Sequence, residues 1–423
     1  MDITLRFIGK LQEAHISLND ITVIAGENNS GKTTIAKTIY GMLYPLVNLE
    51  KRILNRKAQS MTVFAREWFR LAVKNEKNQK YEDNILTDYY FYERIIQSKF
   101  EDFIINNPSS VITEDFLKQA VKEYLQEMGP VAKNPIISNE ETAIAIESIN
   151  RAYSRNDMDY ARLVFEQSFV QVFHGQISTF GKVEESDLQF GNIRFGFDKN
   201  RLVKFEFSIP DEYQISSVVY LPACRISHEA GNFLRRRLIV QLNKDSALLD
   251  SNLTLEQHEL IQKNQEEFSL LIDSIIKGHL EHTERGFVFV ENSHPSEQIA
   301  LDNVASGILP LAYIGRLINN GTIRKDTILI IDEPEMNLHP EWQLHFARLL
   351  VSLNQKIGVR IVLSSHSPYF IRAVEKTLAI EGNQKVDGRF YLMKSQKQLF
   401  VTTEVTDHMK EIYEQLYRPF EEL

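Results

Sequence analysis

An apolar run, Ile21-Thr22-Val23-Ile24-Ala25, leads directly into Gly26-Glu27-Asn28-Asn29-Ser30-Gly31-Lys32-Thr33, after which residues 33 to 43 carry apolar side chains at helical spacing. A strand, a glycine-bounded loop and a helix in that order form the phosphate-binding pattern G-x-x-x-x-G-K-[ST]. The pattern commits the chain to an α/β fold with an anion site at one end of its sheet. Gly26 and Gly31 let the backbone turn tightly, so the N–H groups of Asn28, Asn29, Ser30 and the helix start point at phosphate oxygens. Lys32 is placed to reach the β and γ phosphates of a nucleoside triphosphate. Thr33 offers a hydroxyl to Mg²⁺, a hard cation that takes oxygen ligands. Thr34 is a helix residue with a secondary phosphate contact.

Three further motifs follow along the chain. Thr327-Ile328-Leu329-Ile330-Ile331 runs into Asp332-Glu333-Pro334-Glu335, a buried strand ending in carboxylates at the edge where open α/β sheets bind ligands. Asp332 would hold Mg²⁺ through water. Glu333 would polarise the attacking water, a general-base role worth about 10²- to 10⁴-fold in rate. Without a phosphate loop in the same chain, a solvated acidic turn would be the simpler reading. Ser364-Ser365-His366-Ser367-Pro368 follows the strand 359–363, and His366 is a candidate contact to the γ-phosphate. Asn303-Val304-Ala305-Ser306-Gly307 opens an apolar helical stretch from Ile308 to Ile318. Ser306 reads as its N-cap, Gly307 permits close backbone approach to an anion, and Pro310 falls in the first turn, where a missing N–H costs little. In isolation, Ser-Gly before a helix is a common cap and a lone histidine is commonly structural.

Taken in this order, the four motifs resemble those of the ATP-binding-cassette (ABC) ATPases, in the branch that contains the SMC, RecF and OLD (overcoming-lysogenization-defect) ATPases. Asp332 to Pro340 is especially similar to the acidic motif and following loop of the OLD-like branch, and Ser364 to Pro368 to its switch-histidine loop. The resemblance implies an ABC-type P-loop head, a mixed sheet with an antiparallel β subdomain, that binds and hydrolyses ATP with Mg²⁺. In such families two heads sandwich ATP head to tail, so Ser306 and Gly307 would touch the nucleotide of the partner copy. Two departures stand out. The signature reads Val304-Ala305-Ser306-Gly307-Ile308 rather than the Leu-Ser-Gly-Gly-Gln of transporters, and the strand Ser217 to Leu221, at the Q-loop position, brings no glutamine. Arg225 takes a place similar to an arginine found there in OLD-like heads.

The rest of the head is interrupted by a helical insertion, with expected boundaries of 1–45 and 186–423 for the head and 46–185 for the insertion. Within the insertion Phe116, Leu117, Ala120, Val121, Tyr124, Leu125 and Met128 recur at helical spacing behind the N-cap Thr113, and Ser138 with Glu141 forms a capping box. Aromatic residues cluster at Tyr89 to Tyr92 and recur at Phe165, Phe169 and Phe173, a pattern of packed helices without sustained heptads. A docking or oligomerisation subdomain and a simple added lobe fit equally. Beyond it, Ile193 to Phe197 and Leu202 to Phe207 alternate as antiparallel strands around Asp198-Lys199-Asn200. Residues 226–283 match the helical lid position, a strand from Gly286 to Val290 precedes the signature, and Thr406 to Leu423 reads as a closing helix.

Composition bounds the function. A formal net charge of -9 argues against a uniformly basic nucleic-acid binder. The densest basic run is Arg235-Arg236-Arg237, followed by Lys51, Arg52, Arg56 and Lys57. Such runs are commonly solvated or salt-bridged faces, and a DNA contact stays open. The single cysteine, Cys224, excludes an internal disulfide and reads as a packing residue of a cytoplasmic protein; no apolar run has membrane-spanning length. The chain reaches Leu423 soon after His366, leaving no expected place for the TOPRIM nuclease domain of full OLD nucleases. It therefore resembles the stand-alone ATPase subunits of bacterial anti-phage systems, which implies a homo-oligomer working with a separately encoded nuclease effector. Two other expectations are a RecF-like repair ATPase acting on DNA directly and a nucleotide-gated scaffold with negligible turnover.

Overall fold

Where the sequence has apolar runs without alternation, the chain forms strands buried on both faces: Ile21–Ala25, Ser217–Leu221 and Thr327–Asp332 are buried at every residue, and Arg360–Ser365 at all but its first. The computed structural model describes residues 1–76, 89–107, 110–127, 139–179, 181, 185–208, 215–223, 233–244, 254–284, 286–380 and 386–421. Arg225, Cys224, Met128 and Ser138, singled out above, lie outside the described residues. Two compact units form, one from Met1–Val47 with Glu166–Leu423 and the other from Asn48–Phe165.

The strands in chain order are β1 (Asp2–Arg6), β2 (Leu11–Ser17), β3 (Ile21–Ala25), β4 (Ser186–Phe190), β5 (Ile193–Asp198), β6 (Arg201–Glu206) and β7 (Ser217–Leu221). They continue with β8 (Gly278–Thr283), β9 (Gly286–Glu291), β10 (Gln298–Ala300), β11 (Thr327–Asp332), β12 (Arg360–Ser365), β13 (Gly388–Gln396) and β14 (Leu399–Glu404). Eleven of them form one sheet in the order β6-β5-β4-β1-β2-β14-β13-β3-β12-β11-β7. From β7 to β13 the neighbours run parallel, whereas β1, β2, β4, β5 and β6 pair antiparallel. The sheet is therefore mixed, a parallel half joined to an antiparallel subdomain, and β8 to β10 make a separate three-stranded antiparallel sheet. The expected turn at Asp198-Lys199-Asn200 connects β5 to β6, with Lys199 at φ 54° and the Asn200 side chain accepting from Ile177 N at 2.9 Å.

Helix α1 (Lys32–Leu46) follows the phosphate loop. Of the others, α2 (Leu49–Glu76), α3 (Tyr89–Asn106), α4 (Glu114–Glu127) and α5 (Asn139–Tyr153) belong to the second unit, and α6 (Asp157–Phe173) runs through the end of that unit. The second unit's core joins Met61, Phe69, Phe100, Leu117, Val121 and Ile149. Thr113 caps α4 as its side chain accepts from Phe116 N at 3.3 Å. In the first unit follow α7 (Phe233–Leu242), α8 (Leu255–Ile276), α9 (Ile308–Asn319), α10 (Pro340–Ile357), α11 (Pro368–Ile380) and α12 (Lys410–Glu421). Leu329, Leu363, Ile314, Phe346 and Phe370 are fully buried in the core that these helices share with the parallel strands.

Two members of the basic runs are engaged in packing, whereas Lys51 and Arg236 are exposed. The Arg237 guanidinium lies 5.3 Å from the ring centres of both Tyr44 and Phe233, a cation–π arrangement. Lys57 pairs with Asp157 at 3.0 Å and lies 5.0 Å from the Tyr153 ring centre. Among the described residues no helix is long and apolar enough to cross a membrane.

Candidate active site

Strands β3, β12 and β11 are adjacent and parallel, so the loops leaving their C-terminal ends meet. The phosphate loop leaves β3, the histidine loop leaves β12 and the acidic loop leaves β11. The middle strand ties the other two: Gly26 N donates to Ser365 O at 3.3 Å, and Glu333 N donates to Ser364 O at 2.9 Å. Motifs far apart in the chain thus share one strand edge.

Two glycines shape the phosphate loop. Gly31, at φ 98°, sits in the left-handed region as the N-cap of α1, where an L side chain is strained. At Gly26 a Cβ would lie 2.7 Å from Met393 Cβ, so the β13 side chain leaves no room. Lys32 is 3% exposed and its ammonium donates to Gly26 O and Glu27 O, both at 2.9 Å, drawing its own loop closed. Ser30 Oγ is buried without a hydrogen-bond partner among the described residues. Lys10, in the turn between β1 and β2, donates to Asn29 Oδ1 at 2.5 Å. Nothing local in the sequence marks a side chain that crosses to another loop.

Asp332 ends β11 in a nest of hydroxyls. Thr33 Oγ1 lies 3.0 and 3.1 Å from its two oxygens, Tyr220 OH donates at 3.3 Å, and Ser364 Oγ donates as well. Burial raises its carboxyl above the ordinary range, with Ser364 and Thr33 pulling the other way. Tyr220, on β7, went unread in the sequence because a strand-interior tyrosine carries no signature of its partner.

Glu333 takes φ 52°. Its Oε1 is 3.4 Å from Lys32 Nζ, and its Oε2 is hydrogen-bonded to His366 Nδ1. Burial pulls its carboxyl upward, but the His366 hydrogen bond and the Lys32 charge hold it below the usual value. His366 is raised in turn, chiefly by that bond and against burial. Beneath them Glu335, 6% exposed, is pushed up to about 7 by burial and then by Glu333. Glu333, Glu335 and His366 have polar atoms within 4.8 Å of one another.

Ser306 and Gly307 differ from the sequence expectation. The N-cap position of α9 belongs to Gly307, with no side-chain capping bond, because the chain is already helical there at φ -70°, ψ -23°. Gly307 makes a close approach to the chain itself: a Cβ would lie 2.5 Å from Asn337 O and 2.9 Å from Leu338 Cδ2. The signature thereby packs on the loop after Glu333, and Ser306, Leu309, Asn337 and Glu333 line a shared cleft of about 280 Å³. Gly307→Ala is expected to destabilise the fold by about 1 to 3 kcal/mol, since backbone must shift to admit the methyl. Ser306→Ala should change stability by less than about 0.5 kcal/mol, where a true N-cap would cost about 1. Denaturant midpoints of the two variants check both values.

Residues 3–371 match the AAA_15 family, an AAA ATPase domain. The chain is 30% identical over 131 residues to the OLD nuclease of Thermus scotoductus, covering 28% of this chain and 25% of that protein. It is 20% identical over 382 residues to endonuclease GajA of Bacillus cereus, covering 83% of this chain and 52% of the relative. The chain thus spans between a quarter and about half the length of these relatives. The SMC head domain from Thermotoga maritima aligns over 96% of this chain and 98% of that one at 10% identity, with a TM-score of 0.33. With a family match over most of its length, and the phosphate, acidic and histidine loops on adjacent strand ends of a large mixed sheet, the chain belongs to the AAA_15 family of AAA ATPase domains.

Proposed function

We propose that this site binds ATP with Mg²⁺ and hydrolyses it. The observation that carries the reading is the convergence of Lys32, Thr33, Asp332, Glu333 and His366, with Thr33 Oγ1 3.0 Å from Asp332 and Lys32 Nζ 3.4 Å from Glu333. The donor set suits a magnesium nucleotide. Thr33 and Asp332 are hard oxygen ligands, and Ser30 Oγ is a buried donor without a hydrogen-bond partner among the described residues. Mg²⁺ held there would offset negative charge on the β and γ phosphates. Lys32 binds those phosphates together with the N–H groups of Asn28 to Thr34. Glu333, kept ionised by His366 and Lys32, orients a water and takes its proton. His366 holds the γ-phosphate side of the site.

The reading extends to assembly. Ser306 and Gly307 pack on the loop after Glu333. That this signature meets the nucleotide of a second copy, in a head-to-tail dimer with ATP between heads, is carried by the resemblance of the four motifs to ABC-type heads. The nuclease names of both relatives support a role in which nucleotide state controls a nuclease, and the place in anti-phage defence with an effector encoded separately rests on the motif resemblance alone. Direct DNA binding has weaker support, because Arg237 and Lys57 are engaged in packing and the net charge is -9.

Phosphate release from ATP tests the chemistry. Release in the presence of Mg²⁺, falling to the buffer level with EDTA, is the expected outcome. Tight ATP retention with no release under either condition would replace hydrolysis with a structural nucleotide.

A further inference from the structure

The acidic loop folds back on itself directly after β11. Glu333 is left-handed, Met336 N donates to Glu333 O at 3.1 Å around Pro334, and Leu338 N donates to Glu335 O at 3.1 Å. This turn carries the Glu335 side chain onto the loop that leaves β12. There its Oε1 accepts three hydrogen bonds, from Ser365 Oγ at 2.7 Å, His366 N at 3.0 Å and Ser367 N at 3.1 Å. Its Oε2 is buried without a hydrogen-bond partner among the described residues.

A carboxyl in such a place is a poor choice for stability alone. Burying it costs desolvation that an apolar side chain of the same volume would avoid. What the carboxyl does provide is a grip on consecutive backbone amides of the histidine loop. Ser367, held by one of them, caps α11 through its Oγ, which accepts from Phe370 N at 3.2 Å. The imidazole of His366 is thereby fixed between two carboxylates, bonded to Glu333 Oε2 and 3.4 Å from Glu335 Oε1.

We propose that Glu335 is a positioning residue for hydrolysis. By holding the amides of His366 and Ser367 it sets the His366 ring against Glu333, so that the base and the histidine act from one rigid unit. The inference rests on the hydrolytic reading above. It assigns the effect to the reach of an acceptor oxygen and not to negative charge.

Two substitutions separate reach from charge. Glu335→Gln keeps an oxygen at the same reach and gives up the charge, whereas Glu335→Asp keeps the charge and withdraws the oxygen by one methylene. Glu335→Gln is expected to retain at least about a third of kcat and Glu335→Asp to lose about 10- to 100-fold, with KM for ATP within about threefold in both. Equal losses in the two variants, a greater loss in the glutamine variant, or a loss carried by KM would overturn the proposal. A readout independent of turnover is the ¹⁵N resonance of His366 Nδ1, identified by its disappearance in His366→Gln. It should stay in place in Glu335→Gln and move toward that of a solvated imidazole in Glu335→Asp. A wild-type protein that releases no phosphate would refute hydrolysis, whereas an unmoved His366 resonance in Glu335→Asp would refute the positioning role.

Discussion

Glu333→Gln is expected to lower phosphate release by about 10²- to 10⁴-fold while ATP affinity changes only a few-fold. Glutamine matches glutamate in shape but cannot take a proton from water, and it loses the charge that faces Lys32 at 3.4 Å. In the proposed site nucleotide binding depends on the phosphate loop and on Thr33 with Asp332, none of which changes. In the proposed head-to-tail dimer, ATP then stays between the heads. Light scattering with ATP and Mg²⁺ should show the variant as a long-lived dimer under conditions where the wild type returns to its nucleotide-free state. Unchanged turnover would move the base elsewhere and remove Glu333 from the mechanism.

Lys32→Ala should weaken ATP binding about a hundredfold, roughly 2.7 kcal/mol, read by titration calorimetry. The ammonium is 3% exposed, so its charge acts with little solvent screening. Its removal also leaves Gly26 O and Glu27 O without their donor, and Glu333 without its neighbouring cation. Part of the loss is therefore disorder of the loop itself. An affinity for ATP equal to wild type would show that the nucleotide binds elsewhere.

The two substitutions act on opposite sides of the catalytic cycle, which makes the pair diagnostic. One variant should bind and turn over far more slowly; the other should bind about a hundredfold more weakly. Both effects rely on loops held by β12, through Ser365 O to Gly26 N and Ser364 O to Glu333 N. The intermediate strand is thus a structural part of the site even where its side chains touch no substrate.

Much of this was legible in the linear chain. The glycines at 26 and 31, the uninterrupted apolar run before Asp332 and the polar cluster around His366 are local features, and local features fix local structure. Backbone at φ 98° strains any residue but glycine at Gly31, and the strands buried on both faces are built around runs of apolar residues such as Ile328 to Ile331. The hairpin of β13 and β14 was not anticipated, although β13 pairs with β3 and packs Met393 on Gly26. The buried run Phe390 to Met393 of β13 is a local strand signal that the sequence reading passed over, short and flanked by Arg389 and by Lys394, Ser395 and Gln396.

The sequence by itself determined the element types around the site and the chemistry each loop carries, because hydrophobic period and glycine placement act over a few residues. Only the tertiary structure decided that β12 lies between β3 and β11, that Lys10 reaches Asn29, that Tyr220 faces Asp332 and that Glu335 grips the histidine loop. The same decision turned Gly307 toward Asn337 rather than leaving Ser306 as a helix cap. These are contacts between residues distant in the chain, selected by burial of the whole sheet and its helices, and no short stretch of sequence carries the energy that selects them.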